Sequence, residues 1–190
     1  MLPIVKLPGF VENILPRFSL IFNKSQLRHF GEYLTGLDER LCMVKEQCEK
    51  CHITDGIVVI DDSLAHKSGK HIEGANWFWD HTEHGYRFAH QLVTSQYVTK
   101  KFHVPLHYRL YLKEGDVPQG AFQSKIELAI QLIKEAAAAG IPFSCVAADR
   151  WYFCVTIIKY LAYLGKKWVF ASKSNRIIFV DNRWMSLKEF

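Results

Sequence analysis

Two short apolar segments of the sequence are each followed directly by aspartate. Residues 57–60 (Ile-Val-Val-Ile) lead into Asp61 and Asp62, and residues 143–148 lead into Asp149. Apolar runs of this length are typical of strands that are buried on both faces of a sheet. If the two strands pair side by side, their ends bring carboxylates from distant parts of the chain together.

Carboxylates at such close range repel each other unless a cation lies between them. Their hard oxygen atoms suit Mg²⁺ or Mn²⁺, and a pair of these ions can activate the attacking oxygen and stabilise the leaving oxygen of a phosphodiester displacement. The alternative is structural, because an Asp at a strand end often caps a helix or forms a turn. Asp149 precedes a predicted helix, and on the residues alone the structural interpretation is favoured.

A basic loop follows the first aspartates. Lys67, Lys70 and His71 lie close to Gly69, and they could hold DNA phosphates near a metal site. A solvated surface loop would have the same composition, so that charge alone does not separate the two interpretations.

Three other groups of residues favour structural roles. Seven of the nine histidines lie between His66 and His107, but their spacing matches no recognised pattern of metal ligands. Residues 48–52 have the C-x-x-C-H form of a haem attachment site, and with Cys42 or His29 they could also complete a set of zinc ligands. Neither interpretation has support elsewhere in the sequence, since there is no export signal and no second C-x-x-C. The aromatic residues Trp77, Phe78, Trp79 and Tyr86 could stack on unpaired bases, whereas in a hairpin many of them would be core.

The elements that must position these residues are predicted from periodicity and from turn signals. Residues 1–55 are expected to be helical or irregular, with one helix over the apolar residues from Phe22 to Leu37 and another over 41–52. A capping box, Ser124 with Glu127, opens a helix over 124–139. The remaining prediction comprises strands at 57–60, 106–112, 143–148, 168–171 and 177–180, a hairpin at 75–98, a loop at 64–73 and a helix at 152–164.

Composition limits the class of protein. The chain has 190 residues, 49% of them apolar, and carries 24 Lys and Arg against 19 Asp and Glu for a net charge of +5. Disordered, collagen-like and membrane-spanning classes are excluded, and the odd number of five cysteines favours reduced thiols inside the cell. Residues 150–190 hold eight Lys and Arg against two acids, which suits a polyanionic partner. We therefore expect a soluble, cytoplasmic protein.

Several motifs occur together in a fixed order. They are residues 58–71, Gly85-Tyr86, residues 90–95, Arg109-Leu110-Tyr111 and residues 148–152. Together these motifs resemble the DDE superfamily of insertion-sequence transposases, and the similarity extends from about Phe18 to the end of the chain.

The resemblance implies an α/β fold, namely a ribonuclease H-like mixed sheet with antiparallel strands first, then parallel strands, flanked by helices. We expect a helical N-terminal segment over residues 1–55 and a partial catalytic domain over residues 56–190. The first family Asp falls on the Asp61-Asp62 pair, with Asp61 preferred because Ser63 completes an Asp-x-Ser pattern, and the second falls on Asp149. The resemblance thus implies Asp61, Asp62 and Asp149 as catalytic residues, and Asp61 and Asp149 as ligands of Mg²⁺ or Mn²⁺.

The resemblance also implies an activity. The family performs metal-dependent DNA cleavage and strand transfer, with transposon ends and target DNA as partners, and a homo-oligomer is compatible with it. The third family acid, a Glu on a later helix, has no counterpart here, and Glu189 is not assigned to it. We therefore expect a truncated or rearranged copy that is inactive as a fragment. The alternative is a non-catalytic fragment for nucleic-acid binding or assembly.

Overall fold

The computed structural model describes residues 37–69 and 71–189. The helix predicted from Phe22 to Leu37 therefore falls almost wholly outside the described residues, as do His29 and Lys70. The residues from Arg40 onward form one compact unit. None of the helices in the described part of the chain has the length and apolar character needed to cross a membrane.

The described residues form three α-helices and eight strands. Their bounds in chain order are α1 Leu37–Lys50, β1 Ile57–His66, β2 Asn76–Asp80, β3 Gly85–Val98, β4 His103–Tyr111, α2 Lys125–Ala138, β5 Cys145–Ala148, α3 Val155–Tyr163, β6 Lys167–Phe170, β7 Ile177–Val180 and β8 Arg183–Ser186.

A mixed six-stranded sheet forms the centre of the fold. Its order is β2-β3-β1-β5-β6. Strand β4 also pairs with β3, along residues 91–98, after the residues 85–89 that pair with β2. Strands β1 to β4 pair antiparallel, whereas β5 pairs parallel to β1 and β6 parallel to β5. The expected α/β fold, with antiparallel strands first and parallel strands after them, is confirmed. Strands β7 and β8 form a separate hairpin, and β8 is absent from the sequence prediction.

One hydrophobic core joins the three described helices to a face of the sheet. Val58 and Ile60 of β1 are almost completely buried, as is Val146 of β5. Alternate residues of a strand point to the same face, so that these side chains meet the helices on one side. The helices contribute Leu41, Val44 and Cys48 from α1, Leu128, Ala129, Leu132, Ile133 and Ala136 from α2, and Ile157 and Leu161 from α3.

Helix α2 begins where its capping box predicts. The Ser124 side chain accepts a hydrogen bond from the Glu127 backbone N–H, and the Glu127 carboxylate accepts one from the Ser124 N–H at 2.7 Å. Two of the free backbone donors of the first turn are thereby satisfied. Gly140, at φ 74°, follows the helix in the left-handed conformation that favours glycine. The predicted helix over 124–139 is confirmed.

Strand β1 is longer than predicted. The sequence analysis ended it at the aspartates and placed a loop over 64–73, which is wrong for residues 61–66. The polar residues from Asp61 to His66 stay in the strand because β3 continues to pair with them, as far as His66 opposite Ala89. On the other side of β1, the parallel pairing with β5 ends at Ile60 opposite Ala148. Asp61 and Asp62 therefore lie inside β1, just beyond the last pair that it forms with β5.

Candidate metal centre

The register of β1 and β5 brings the predicted acidic residues together. Because Ile60 pairs with Ala148 in parallel, Asp61 and Asp149 are the next residues on two neighbouring strands. Neighbouring strands lie about 4.8 Å apart. Asp61, Asp62 and Asp149, hereafter the acidic cluster, are therefore adjacent at the carboxyl end of the short parallel pair.

Asp149 occupies a turn. Its carboxylate Oδ1 accepts a hydrogen bond from the Trp151 N–H at 2.8 Å, and its backbone oxygen accepts one from the Tyr152 N–H at 3.3 Å. Helix α3 begins only at Val155, with Cys154 as its N-cap. The helix-capping alternative for Asp149 is therefore wrong, because the helix starts six residues later. The turn-forming alternative is correct, and it leaves the second carboxylate oxygen, Oδ2, outside this hydrogen bond.

Asp62 differs from its neighbour Asp61 in having direct partners. By strand alternation Asp62 shares the face of Ile60, beneath α2. Its Oδ2 atom accepts a hydrogen bond from Gln91 Nε2 at 2.8 Å and forms an ion pair with Lys125 Nζ at 2.7 Å. The negative charge of Asp62 is thus compensated inside the protein.

Burial dominates the electrostatics of the acidic cluster. The pKa of Asp61 is raised to about 7, mainly by burial and also by the charges of Asp62 and Asp149. The Asp62 N–H, which donates to Asp61 Oδ1 at 2.9 Å, and the charge of Lys125 act in the opposite direction. Burial also raises the pKa of Asp149, with a further contribution from the charge of Asp62. Both shifts mean that removal from water disfavours the ionised carboxylates more than the nearby N–H donors and cations favour them.

A buried hydroxyl group lies within electrostatic range of the same carboxylates. Tyr152 is fully buried, and among the described residues its hydroxyl oxygen has no hydrogen-bond partner. Burial raises the pKa of this phenol, and the charges of all three aspartates raise it further. An unpartnered buried polar group is rare in folded proteins and is often completed by a water or an ion.

These residues fit a divalent cation. The donors are carboxylate oxygens, which Mg²⁺ and Mn²⁺ prefer. Among the described residues no ion pair joins Asp61 or Asp149 to a side chain, and the charges of Lys125 and Arg150 only partly offset the burial of these carboxylates. In contrast, Glu189 accepts a hydrogen bond from the Ser186 N–H at the end of the β7–β8 hairpin, away from the sheet that carries the acidic cluster.

Lys67 and His71 follow the end of β1, whereas the acidic cluster lies at its middle. Lys67 follows the last residue of β1 and is half-buried, while His71 is exposed. Six residues separate Asp61 from Lys67, which in a strand corresponds to about 20 Å. This distance does not agree with the expectation that Lys67 lies close to the metals. The same length equals about six base pairs of duplex DNA.

A second group of metal-ligand residues was missed by the sequence analysis. His66, Asp80 and Glu83 place their ligand atoms within 4.8 Å of one another. Their hydrogen bonds account for this arrangement: Asp80 Oδ2 lies 2.8 Å from His66 Nε2, and Asp80 Oδ1 accepts from the Thr82 N–H and the Glu83 N–H. Glu83 also forms an ion pair with Arg87. His66 lies 14 residues before Asp80, a spacing that matches no recognised pattern of metal ligands.

The aromatic hairpin divides between core and surface. Phe78 is buried, whereas Trp77, Trp79 and Tyr86 are 57%, 45% and 61% exposed. The favoured core interpretation is therefore wrong for these three residues, because alternation along β2 turns both tryptophans outward and register places Tyr86 opposite Trp79. In the C-x-x-C-H segment, Cys48 is buried in the hydrophobic core.

Comparison with known proteins gives one result. A family model described as DDE superfamily endonuclease matches residues 36–186, a range that includes the whole acidic cluster and the six-stranded sheet. No curated protein matches the chain, and no solved structure matches it.

Proposed function

Because the chain belongs to the DDE superfamily endonuclease family, whose substrate is DNA, we propose that it cleaves DNA phosphodiester bonds at the acidic cluster with Mg²⁺ or Mn²⁺. The biological context is transposition of an insertion sequence, where cleavage precedes strand transfer. The observation that carries the proposal is that the pairing of Ile60 with Ala148 places Asp61 and Asp149 next to each other on neighbouring strands. The pKa values of both carboxyls are raised, mainly by burial.

Asp61 and Asp149 would hold the cation, each through a carboxylate. The bound cation would supply Lewis acidity, which lowers the pKa of a bound water and stabilises charge on the phosphoryl oxygens. The turn after β5 fixes Asp149 through the Trp151 N–H, while the pairing of β1 with β3 fixes Asp61 opposite Thr94. Such positioning matters because a displacement of 1 Å can cost about 100-fold in rate.

Lys67 and His71 would contact flanking DNA. Because they follow the end of β1, they would reach phosphates that lie several base pairs from the reacting bond. Contacts to such phosphates orient the duplex and make the affinity depend on salt. Lys70 is included in this proposal from the sequence alone. The basic segment 150–190 would contribute further phosphate contacts, since it carries eight Lys and Arg against two acids.

A second candidate is a non-catalytic DNA-binding or assembly module. The ion pair between Asp62 and Lys125 favours this candidate. Only two carboxylates of the acidic cluster then remain without an ion pair, whereas the family uses three acids. Both candidates predict DNA binding that weakens as salt rises. They differ in cleavage, since the second candidate does not cut DNA. That the chain does not complete strand transfer unaided stays a prediction from the unmatched third acid.

A plasmid-nicking assay tests the proposed function. We expect the purified protein to convert supercoiled plasmid to the open circle with Mn²⁺ or Mg²⁺ and not with EDTA. Asp61→Asn and Asp149→Asn should each lower the rate by about 100-fold or more. The matched control is Asp181→Asn, because Asp181 is exposed in the turn between β7 and β8. Nicking that survives both cluster variants, or DNA binding without nicking, would overturn the proposal.

A further inference from the structure

Lys125 occupies an unusual position for a lysine. It is the first residue of α2, directly after the N-cap Ser124. The N-terminus of a helix carries a partial positive charge, so that a cation there is disfavoured and an acid is preferred. The side chain is also largely removed from water, at 16% exposure. A residue that violates a local preference in this way is often explained by a functional site.

The lysine ammonium group is held by residues from three other segments of the chain. Nζ lies 2.7 Å from Asp62 Oδ2, on the oxygen that also accepts from Gln91. It lies 5.6 Å from the ring centroid of Tyr111 and 5.5 Å from that of Trp151. Cation–π contacts at this distance are favourable when the cation is partly desolvated. The position of Nζ is therefore closely defined.

Trp151 connects this lysine to the acidic cluster. Its ring contacts the Lys125 ammonium, and its backbone N–H donates to Asp149 Oδ1. The turn that fixes Asp149 therefore also covers Lys125. The ammonium group forms its ion pair with Asp62, whereas among the described residues it forms none with Asp61 or Asp149 and favours the charge of Asp61 only at longer range.

We propose that the ion pair with Lys125 prevents divalent cations from binding to Asp62. The acidic cluster then binds one cation, through Asp61 and Asp149, instead of two. This inference rests on the proposed function, since it concerns the same cation. Lys125 is a positioning residue in this account and does not touch the reacting atoms. It acts as a fixed positive charge at the place where a second cation would otherwise find a carboxylate.

The physical reason is competition for one oxygen. A protonated lysine donates hydrogen bonds and cannot ligate a metal. A divalent ion that approached Asp62 Oδ2 would have to displace Nζ or remain a few ångströms from a like charge, and repulsion at that range is strong in a partly desolvated site. Asp61 lies on the opposite face of β1 and forms no ion pair among the described residues, so that Lys125 acts on it only at longer range.

Counting bound Mn²⁺ tests the inference without measuring activity. Free Mn²⁺ is followed by its paramagnetic resonance signal during titration of the protein. The wild-type chain should bind one ion. Lys125→Met keeps the length of the side chain but removes the charge, and should bind two, whereas Lys125→Arg should still bind one. Lys134→Met is the control, because Lys134 is exposed on the same helix, and it should leave the count at one.

Asp62 provides a second test that does not depend on how Lys125→Met folds. Asp62→Asn should leave the single Mn²⁺ site within about threefold of the wild-type affinity, whereas Asp61→Asn should weaken it by at least about tenfold. Two outcomes overturn the inference alone: a Lys125→Met chain that folds and binds one ion, or an Asp62→Asn chain weakened as much as Asp61→Asn. A wild-type chain that binds no Mn²⁺ overturns the proposed function and this inference with it.

Discussion

Three carboxylates with different environments make up the acidic cluster. Asp62 is paired with Lys125 and Gln91, Asp149 is fixed by a turn, and Asp61 is half-buried with one backbone donor. The adjacency of Asp61 and Asp149 followed from the sequence, because two buried strands with acids at their ends are apt to pair in parallel. The ion pair of Asp62 with Lys125 did not follow from the sequence, because Lys125 lies 63 residues away. Their contact depends on where α2 begins above the sheet.

Asp61 should make the stability of the metal-free protein depend on pH. Its pKa is raised to about 7 in the folded protein from an ordinary value of 3.8, so that the folded state holds the proton more tightly than the unfolded state. This contribution stabilises the protein fully below about pH 4 and is lost as pH rises to about 7. The substitution Asp61→Asn replaces the carboxyl with an amide that does not titrate. The free energy of unfolding of this variant, relative to wild type, should therefore rise across this window by at most about 1.4 kcal/mol per pH unit.

Urea unfolding at pH 5 to 8 with EDTA measures this difference. Asp181→Asn serves as the control, because Asp181 is exposed and its replacement should give a difference that does not vary with pH. A constant difference between Asp61→Asn and wild type would show that Asp61 titrates normally in the folded protein.

At the scale of elements, periodicity identified most of the fold. The capping box located α2, and alternating aromatic residues located the β2–β3 hairpin. The missed features depend on pairing: β1 extends to His66 because β3 pairs along it, and β8 forms only against β7. The group of His66, Asp80 and Glu83 likewise depends on the folding of the hairpin against β1, which no local spacing encodes.

Helix α2 is expected to contribute strongly to stability through its buried face. Ile133 is fully buried in the core, so that Ile133→Ala should lower the free energy of unfolding by about 2–5 kcal/mol through lost burial and a residual cavity. Lys134→Ala, on the exposed side of the same helix, should change it by less than about 0.5 kcal/mol. Equal, small effects of both substitutions in urea unfolding would mean that α2 does not pack as described.

At the scale of the whole molecule, the family match, the mixed sheet and the acidic cluster describe one catalytic arrangement. The match covers residues 36–186, and α1 shares the hydrophobic core with the sheet. The predicted division at residue 55 stays a proposal, as does the assignment of Lys67, Lys70 and His71 to DNA phosphates. The central claim of the account is that a divalent cation binds between β1 and β5.

Anomalous diffraction from crystals soaked in Mn²⁺ tests this claim most directly, because it locates the ion. We predict a peak between the carboxylates of Asp61 and Asp149, with no peak on Asp62 Oδ2, and we predict that it disappears in Asp149→Asn crystals treated in the same way. A map in which Mn²⁺ occupies only the group of His66, Asp80 and Glu83, or in which the acidic cluster holds no ion, would contradict the account.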